Sequence, residues 1–198
     1  MWLGNPVRWG GFAALLVGVL LVISDLLRLY IRLVDPGAFE SILVVDGWLS
    51  VLLAVVVQLG LVGLYAPRAR ALGTLGLVGF VLVSIGVQLS IGSSFVFAFI
   101  RPIVGPWDPA FFEEPVWSVL RFGLGFVLGW VLLGIAMLRG RVYPRAAAAL
   151  LIIGALILLL PLPLNDIIFA VAVAWLGYTL FAERSEDQSL LTRGAQGG

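Results

Sequence analysis

The chain has 198 residues, of which 62% are hydrophobic and 12% are charged, and its net charge is +1. A soluble domain of this length cannot bury so large an apolar fraction, so the composition indicates an integral membrane protein. Cysteine and histidine are absent, which excludes disulfides, histidine-based catalysis and the usual ligands of zinc, haem and copper. We therefore expect no cofactor, and we expect the lipid bilayer, not a nucleic acid, as the main partner.

Six apolar runs follow one another along the chain and predict six transmembrane helices. Each run approaches the ~20 residues that cross a ~30 Å hydrocarbon core, and none alternates with the period of two that marks a barrel. The runs cover residues 9–33, 46–66, 71–99, 116–138, 146–163 and 166–182. The expected fold class is therefore all-α, a polytopic membrane protein with one six-helix domain over residues 1–182.

Two segments differ from these runs in composition. The stretch RPIVGPWDPAFFEEPV (101–116) contains four prolines and cannot form one helix, so we expect a long outer loop there. The stretch ERSEDQSLLTRGAQGG (183–198) is polar and ends in glycine, which predicts a disordered cytoplasmic tail. No cleavage site follows the first apolar run, which is therefore expected to remain as a span.

The arginines indicate how the spans are oriented. Eight of the twelve fall on one side of a six-span arrangement, and that side has no acidic residue before Glu183. These eight are Arg8, Arg68, Arg70, Arg139, Arg141, Arg145, Arg184 and Arg193. Because positively charged loops are retained in the cytoplasm, both termini are expected to be cytoplasmic, and the predicted location is a bacterial plasma membrane.

Short similarities suggest that the helices form three repeated hairpins. RALGTLGLVG (70–79) and RAAAALLIIG (145–154) both run from arginine to glycine, and RWGGFAALLVG (8–18) does so with one extra residue. A Gly-to-Arg ending is shared by the spans before the basic turns, in GLYAPR (63–68), GIAMLR (134–139) and, more loosely, GYTLFAER (177–184). A parallel repeat is one explanation, and chance similarity in a chain with 24 glycines is the other.

Polar residues from four spans are expected at one depth near the outer face. At 1.5 Å per residue from the cytoplasmic ends, Asp25, Gln88, Arg121 and Asp166 lie roughly 25–27 Å into the bilayer. Arg28 lies one turn beyond Asp25 on the same helix face. We expect an outward-facing polar pocket in which the aspartates are anions, the arginines are cations, and the glutamine is a neutral hydrogen-bonding group.

Each of these assignments has a plainer alternative. The pocket residues could be interfacial side chains that reach for water or form structural ion pairs. Against this, Gly125 and Gly129 lie on the helix face below Arg121, and GxxxG spacing favours close packing, which directs Arg121 into the bundle. Near the midplane, Gln58 is expected to make an interhelical hydrogen bond, and Ser84 could extend a polar track or bond its own helix.

The stretch GFVLGWVLLGIAMLRGRVYPRAAAALLIIGALILLLPLP (125–163) resembles a hairpin of uncharacterised bacterial six-span membrane proteins of the domain-of-unknown-function type. In those proteins a glycine-rich span ends in a short basic turn, which Tyr143, Pro144 and Arg145 carry here. The opening NPVRWGGFAALLVGVLLV is similar to the start of such proteins. The resemblance implies a six-helix fold, and it brings neither an activity nor catalytic residues.

Three functions are compatible with these features. The leading interpretation is non-enzymatic binding or transport of a small or lipid-like ligand through the polar pocket in the outer leaflet. The alternative is a structural or accessory subunit whose helices pack against partners. The third is a lipid-modifying enzyme that uses Asp25 or Asp166, which is the weakest because no nucleophile–base pair or metal-ligand set is present. Oligomeric state and any partner subunit stay open.

Overall fold

The described part of the chain is helical and follows the predicted order of elements. The computed structural model describes residues 6–34, 39–95, 99, 103, 125–160 and 166–196, and no residue in these ranges belongs to a strand. The helices are α1 (Pro6–Val34), α2 (Phe39–Tyr65), α3 (Ala69–Phe95), α4 (Leu128–Gly140), α5 (Arg145–Ile157) and α6 (Asp166–Gln196). A 3₁₀ turn, Ala66–Arg68, joins α2 to α3. The all-α prediction is confirmed.

Two helical stretches are long and apolar enough to cross a membrane, Trp9–Leu27 and Gly47–Gly92. The second has 46 residues, and the 3₁₀ turn divides it between α2 and α3. The remaining apolar helices, Gly125–Gly140, Arg145–Ile157 and Asp166–Ala182, are shorter. Helix length and composition are thus consistent with association with a membrane, whereas six spans stay a prediction.

Helix α1 packs against both α2 and α6. Successive residues of α1 contact progressively earlier residues of α2 and of α6. Both helix pairs are therefore antiparallel. The contacts pair Gly10 with Gly63, Ala14 with Gly60, Gly11 with Gly177, and Gly18 with Ala174. The first and last helices of the chain are therefore direct neighbours.

The other helices pack in chain order and complete a ring. Each successive pair from α2 to α6 is in contact, and the paired residue numbers of α2 with α3 and of α3 with α4 run in opposite directions. Aromatic contacts join Tyr65 to Phe80 and Trp48 to Phe99, and glycine contacts join Gly79 to Leu133, Gly86 to Phe126, Gly134 to Ile152, and Gly154 to Phe169. Because α6 also packs on α1, helices α1 to α6 form a closed ring.

Small residues hold this ring together, while large apolar residues face outward. A Cβ added at Gly79 would lie 2.7 Å from the backbone nitrogen of Leu133, and one at Gly129 would lie 2.5 Å from that of Val83. Exposed large side chains include Phe12, Leu52, Leu59, Leu89, Leu156 and Trp175. Helices in lipid lack a hydrophobic force between them and associate through such close backbone packing, so this distribution is typical of a membrane bundle.

Large apolar side chains fill the described interior. Trp130 of α4 is 1% exposed, and Leu133 and Met137 on the same helix are 0% exposed. The indole ring of Trp130 packs edge-on against Phe169 of α6, with ring centroids 5.1 Å apart. These contacts make the middle of the ring a packed core.

In the second and third predicted hairpins, the repeated glycines make equivalent contacts between helices. Gly79 and Gly154 occupy equivalent repeat positions, and each contacts the second helix of its own hairpin, α4 and α6 respectively. Gly18, the corresponding residue of the first hairpin, contacts α6 instead of α2. The equivalence therefore holds between α3–α4 and α5–α6 only.

The glycines of the Gly-to-Arg endings, Gly63, Gly134 and Gly177, show the same difference between the hairpins. Gly134 contacts α5, and Gly177 contacts α1, so each packs on the helix that follows in the ring. Gly63 contacts α1, the helix that precedes its own. A threefold repeat stays a prediction, with the first hairpin as its irregular member.

Two predicted segments need separate mention. Helix α6 continues to Gln196 and so includes residues 183–196, for which the composition predicts disorder; disorder in solution stays a prediction. The predicted outer loop 101–116 lies outside the described residues except for Ile103, which is exposed.

Candidate functional site

Asp25 caps the first turn of another helix. It is 5% exposed, and its Oδ2 accepts a hydrogen bond of 3.2 Å from the backbone N–H of Asp166, the first residue of α6. The first N–H groups of a helix have no partner within it, and a carboxylate also complements the positive end of the helix dipole. Asp25 thereby fixes the outer part of α1 to the start of α6.

This bond brings together two aspartates that the sequence predicts at one depth. Asp166 is half-buried in the first turn of α6, and it binds Asp25 through its backbone N–H. We call Asp25 and Asp166 the carboxylate pair. A carboxylate accepts hydrogen bonds and attracts cations, so a hydrogen-bond donor or a cation is favoured beside Asp25.

Gln88 lies on α3, and its participation in the predicted pocket stays a prediction. Its side chain is exposed on α3. The depth predicted for Gln88 is counted along one straight helix, whereas α3 is kinked at Gly73, where φ is 61°.

The two predicted cations lie largely outside the described part of the chain. Arg121 is outside the described residues, and so is any contact that it makes with Asp25. The backbone of Arg28 is helical and lies one turn beyond Asp25 on α1, a spacing that places both residues on one helix face. Their participation in the pocket stays a prediction.

A second polar contact lies deeper in the bundle. Gln58 Nε2 of α2 donates a hydrogen bond of 3.1 Å to Ser84 Oγ of α3, the interhelical bond expected for Gln58. Gln58 Oε1 and Trp130 Nε1 are both buried and have no hydrogen-bond partner among the described residues. A buried polar atom without a partner costs about 1–3 kcal/mol. Sequence reasoning overlooked Trp130, although a tryptophan in mid-span, away from the interfaces that it prefers, was an available signal.

The opposite end of the ring is held by Tyr143, in the turn between α4 and α5. This residue is 5% exposed, and its hydroxyl donates a hydrogen bond of 2.7 Å to the backbone oxygen of Leu64 at the end of α2. The guanidinium carbon of Arg68 lies 4.3 Å from the centroid of the Tyr143 ring. The two arginine-rich turns are therefore joined through one aromatic side chain, a contact that no spacing in the sequence predicts.

Among the described residues, burial, charge and contact between helices are combined at the carboxylate pair, whose carboxylate oxygens are hydrogen-bond acceptors. No protein-family model, curated protein or solved structure matches the chain.

Proposed function

We propose that the chain is a six-span protein of the bacterial plasma membrane that binds or transports a small or lipid-like ligand at the carboxylate pair. The observation that carries the proposal is Asp25, a carboxylate only 5% exposed that accepts a hydrogen bond from the backbone N–H of a second aspartate, Asp166, between two apolar helices. Ionisable groups inside a membrane bundle are costly and commonly mark a binding site or a transport pathway.

Membrane placement is supported by how charge is distributed over the ring. The carboxylate pair lies at one end, and the exposed Arg70, Arg139 and Arg141 lie at the other. With cytoplasmic arginines, both termini are cytoplasmic and the carboxylate pair is near the outer leaflet. Helix α5 has only 13 residues, or roughly 20 Å, and a bilayer accommodates so short a span by local thinning.

The ligand chemistry follows from the acceptor oxygens of the pair. The N–H of Asp166 binds Oδ2 of Asp25, and the carboxylate of Asp25 is suited to a cationic or hydrogen-bond-donating group. An amine-bearing lipid headgroup or a small organic cation has this character. Membership of the family that residues 125–163 resemble is part of the same proposal and adds no ligand.

Asp25→Asn and Asp166→Asn test the proposal because they remove charge while keeping the bond between the helices. The asparagine oxygen at position 25 still accepts from the backbone N–H of residue 166, so both variants should fold. Native mass spectrometry of protein extracted from membranes should detect a bound molecule of fixed mass on the wild type. Both variants should lose it at least tenfold.

Thr74→Val is the matched control, since it removes an exposed polar group of the same bundle near Arg70, away from the carboxylate pair. This variant should retain the molecule at the wild-type level. Retention of the same molecule by Asp25→Asn would show that the carboxylate pair is not the binding site.

A structural or accessory subunit is the second candidate, and the packed interior favours it. Trp130, Leu133 and Met137 fill the described core, so the outer apolar surface becomes the main place for a partner. A photo-crosslinking residue at Leu59, which is 58% exposed on α2, distinguishes the candidates. Crosslinks to one protein at fixed stoichiometry would support a subunit, whereas crosslinks to lipid alone would oppose it.

A further inference from the structure

Five arginines on two neighbouring turns form a basic surface at one end of the ring. Four of their side chains are exposed and one is half-buried. The acidic side chains that the structure describes belong to the carboxylate pair, at the opposite end. We call the following five residues the arginine surface: Arg68, Arg70, Arg139, Arg141 and Arg145.

Packing fixes the relative positions of the two turns. Tyr143 is bonded to Leu64 and lies under Arg68. A Cβ added at Gly140 would lie 2.9 Å from the backbone oxygen of Ala71, so the end of α4 touches the start of α3. Charges held on a rigid support lose less freedom when they bind a ligand than charges on mobile loops do.

Two of these arginines occupy positions that their own helices do not favour. Arg141 follows α4 with φ 51° and ψ 31°, a left-handed conformation that glycine normally supplies after a helix. Arg145 is the first residue of α5, where a positive charge opposes the helix dipole. An external anion that interacts with both side chains would offset these costs.

An apolar surface begins close to these charges. Leu77 and Val78 of α3 are 47% and 44% exposed, and Ile153 of α5 is 51% exposed, about two helical turns from Arg145. A ligand bound along α3 or α5 therefore contacts guanidinium groups first and exposed apolar side chains further along the helix. A phosphate joined to acyl chains has that combination.

We propose that the arginine surface binds the phosphate-bearing headgroup of an anionic phospholipid, with an acyl chain against α3 or α5. This inference rests on the membrane placement in the proposed function and concerns the opposite end of the ring from the carboxylate pair. Arginine recognises phosphate through paired hydrogen bonds, and each basic residue near a membrane surface strengthens binding about fivefold.

The full chain in neutral detergent can be incubated with equal amounts of phosphatidylglycerol and phosphatidylcholine, and retained lipids counted by native mass spectrometry. The wild type should retain phosphatidylglycerol preferentially. A variant combining Arg70→Gln, Arg139→Gln and Arg141→Gln should lose that preference by about fivefold for each arginine removed. Arg32→Gln is the matched control, because it is the same exchange near the C-terminal end of α1, away from the arginine surface. This variant should leave the preference unchanged.

Two outcomes would overturn the inference. One is an unchanged preference in the triple variant, provided that its thermal unfolding in detergent resembles the wild type. The other is full displacement of phosphatidylglycerol by millimolar inorganic phosphate, which would identify a free-phosphate site. Flotation of wild-type protein with phosphatidylcholine liposomes tests membrane placement separately, so its failure would reject the proposed function rather than headgroup selectivity.

Discussion

The two ends of the helical ring handle charge in opposite ways. At the carboxylate end, Asp25 is buried and engaged by the first N–H of α6. At the arginine end, Arg70 and Arg139 are exposed, and a neutral tyrosine, Tyr143, makes the buried bond. A buried charge needs a partner because desolvation is costly, whereas an exposed charge does not. The same bundle therefore separates a candidate binding site from an exposed basic surface.

Substitution of Gly63 should cause the largest effect, by breaking α1–α2 packing toward the arginine end. Gly63→Ala would place a methyl group against the backbone of Gly10, and the helices would have to separate. We expect a loss of about 2–3 kcal/mol in unfolding free energy, measured by denaturant titration in detergent. Gly92→Ala is the control, since nothing lies within 4 Å of a Cβ there. Equal losses in both variants would contradict the close contact between α1 and α2.

The next effect concerns the carboxylate end. Asp25→Ala removes the acceptor from the first turn of α6 and should cost about 1–2 kcal/mol, read from thermal unfolding in detergent. Asp25→Asn should recover most of this loss because its amide oxygen can still cap the helix. If Asp25→Ala were as stable as the wild type, the helix-capping role would be rejected.

At the arginine end, Tyr143→Phe sharpens the comparison by deleting a single hydroxyl. The backbone oxygen of Leu64 would lose a buried donor, which should cost about 1 kcal/mol. The aromatic ring under Arg68 would remain, so the arginine surface should keep its lipid preference. The free energy of unfolding of both variants can be measured by denaturant titration. If Tyr143→Phe lost as much stability as Tyr143→Ala, the aromatic ring would contribute nothing to stability.

The smallest expected effect has the opposite sign. Arg141 adopts a left-handed conformation, and Arg141→Gly would remove its steric cost of about 1 kcal/mol. Glycine also makes the unfolded chain more flexible, which offsets about half of that gain. The free energy of unfolding should therefore increase by about 0.5 kcal/mol. A decrease in stability would indicate that the Arg141 side chain itself holds the turn.

Features that depend on local pattern could be predicted from the sequence. Continuous apolar runs predict the helices, and counting along them places Asp25 and Asp166 at one height, where a hydrogen bond joins them. Gln58 bonds across to α3 as its mid-span position predicts. Each of these inferences needs only the rise of a helix and the cost of an unpaired polar group.

Features that depend on backbone geometry could not be predicted. Helix α3 is kinked at Gly73, where φ is 61°, and a glycine among several other glycines does not reveal a positive φ. The bond from Tyr143 to Leu64 joins residues 79 positions apart. Its existence depends on which turns become neighbours when the ring closes, and no residue pattern along the chain specifies that.

The closed ring also has a consequence for biosynthesis. Asp25 lies in α1, but the hydrogen-bond donor described for it is the amide of a residue 141 positions later, in α6. Helix α1 is therefore synthesised long before this donor exists. Closure of the ring waits for α6, so a chain truncated before Asp166 should leave the buried carboxylate without this donor.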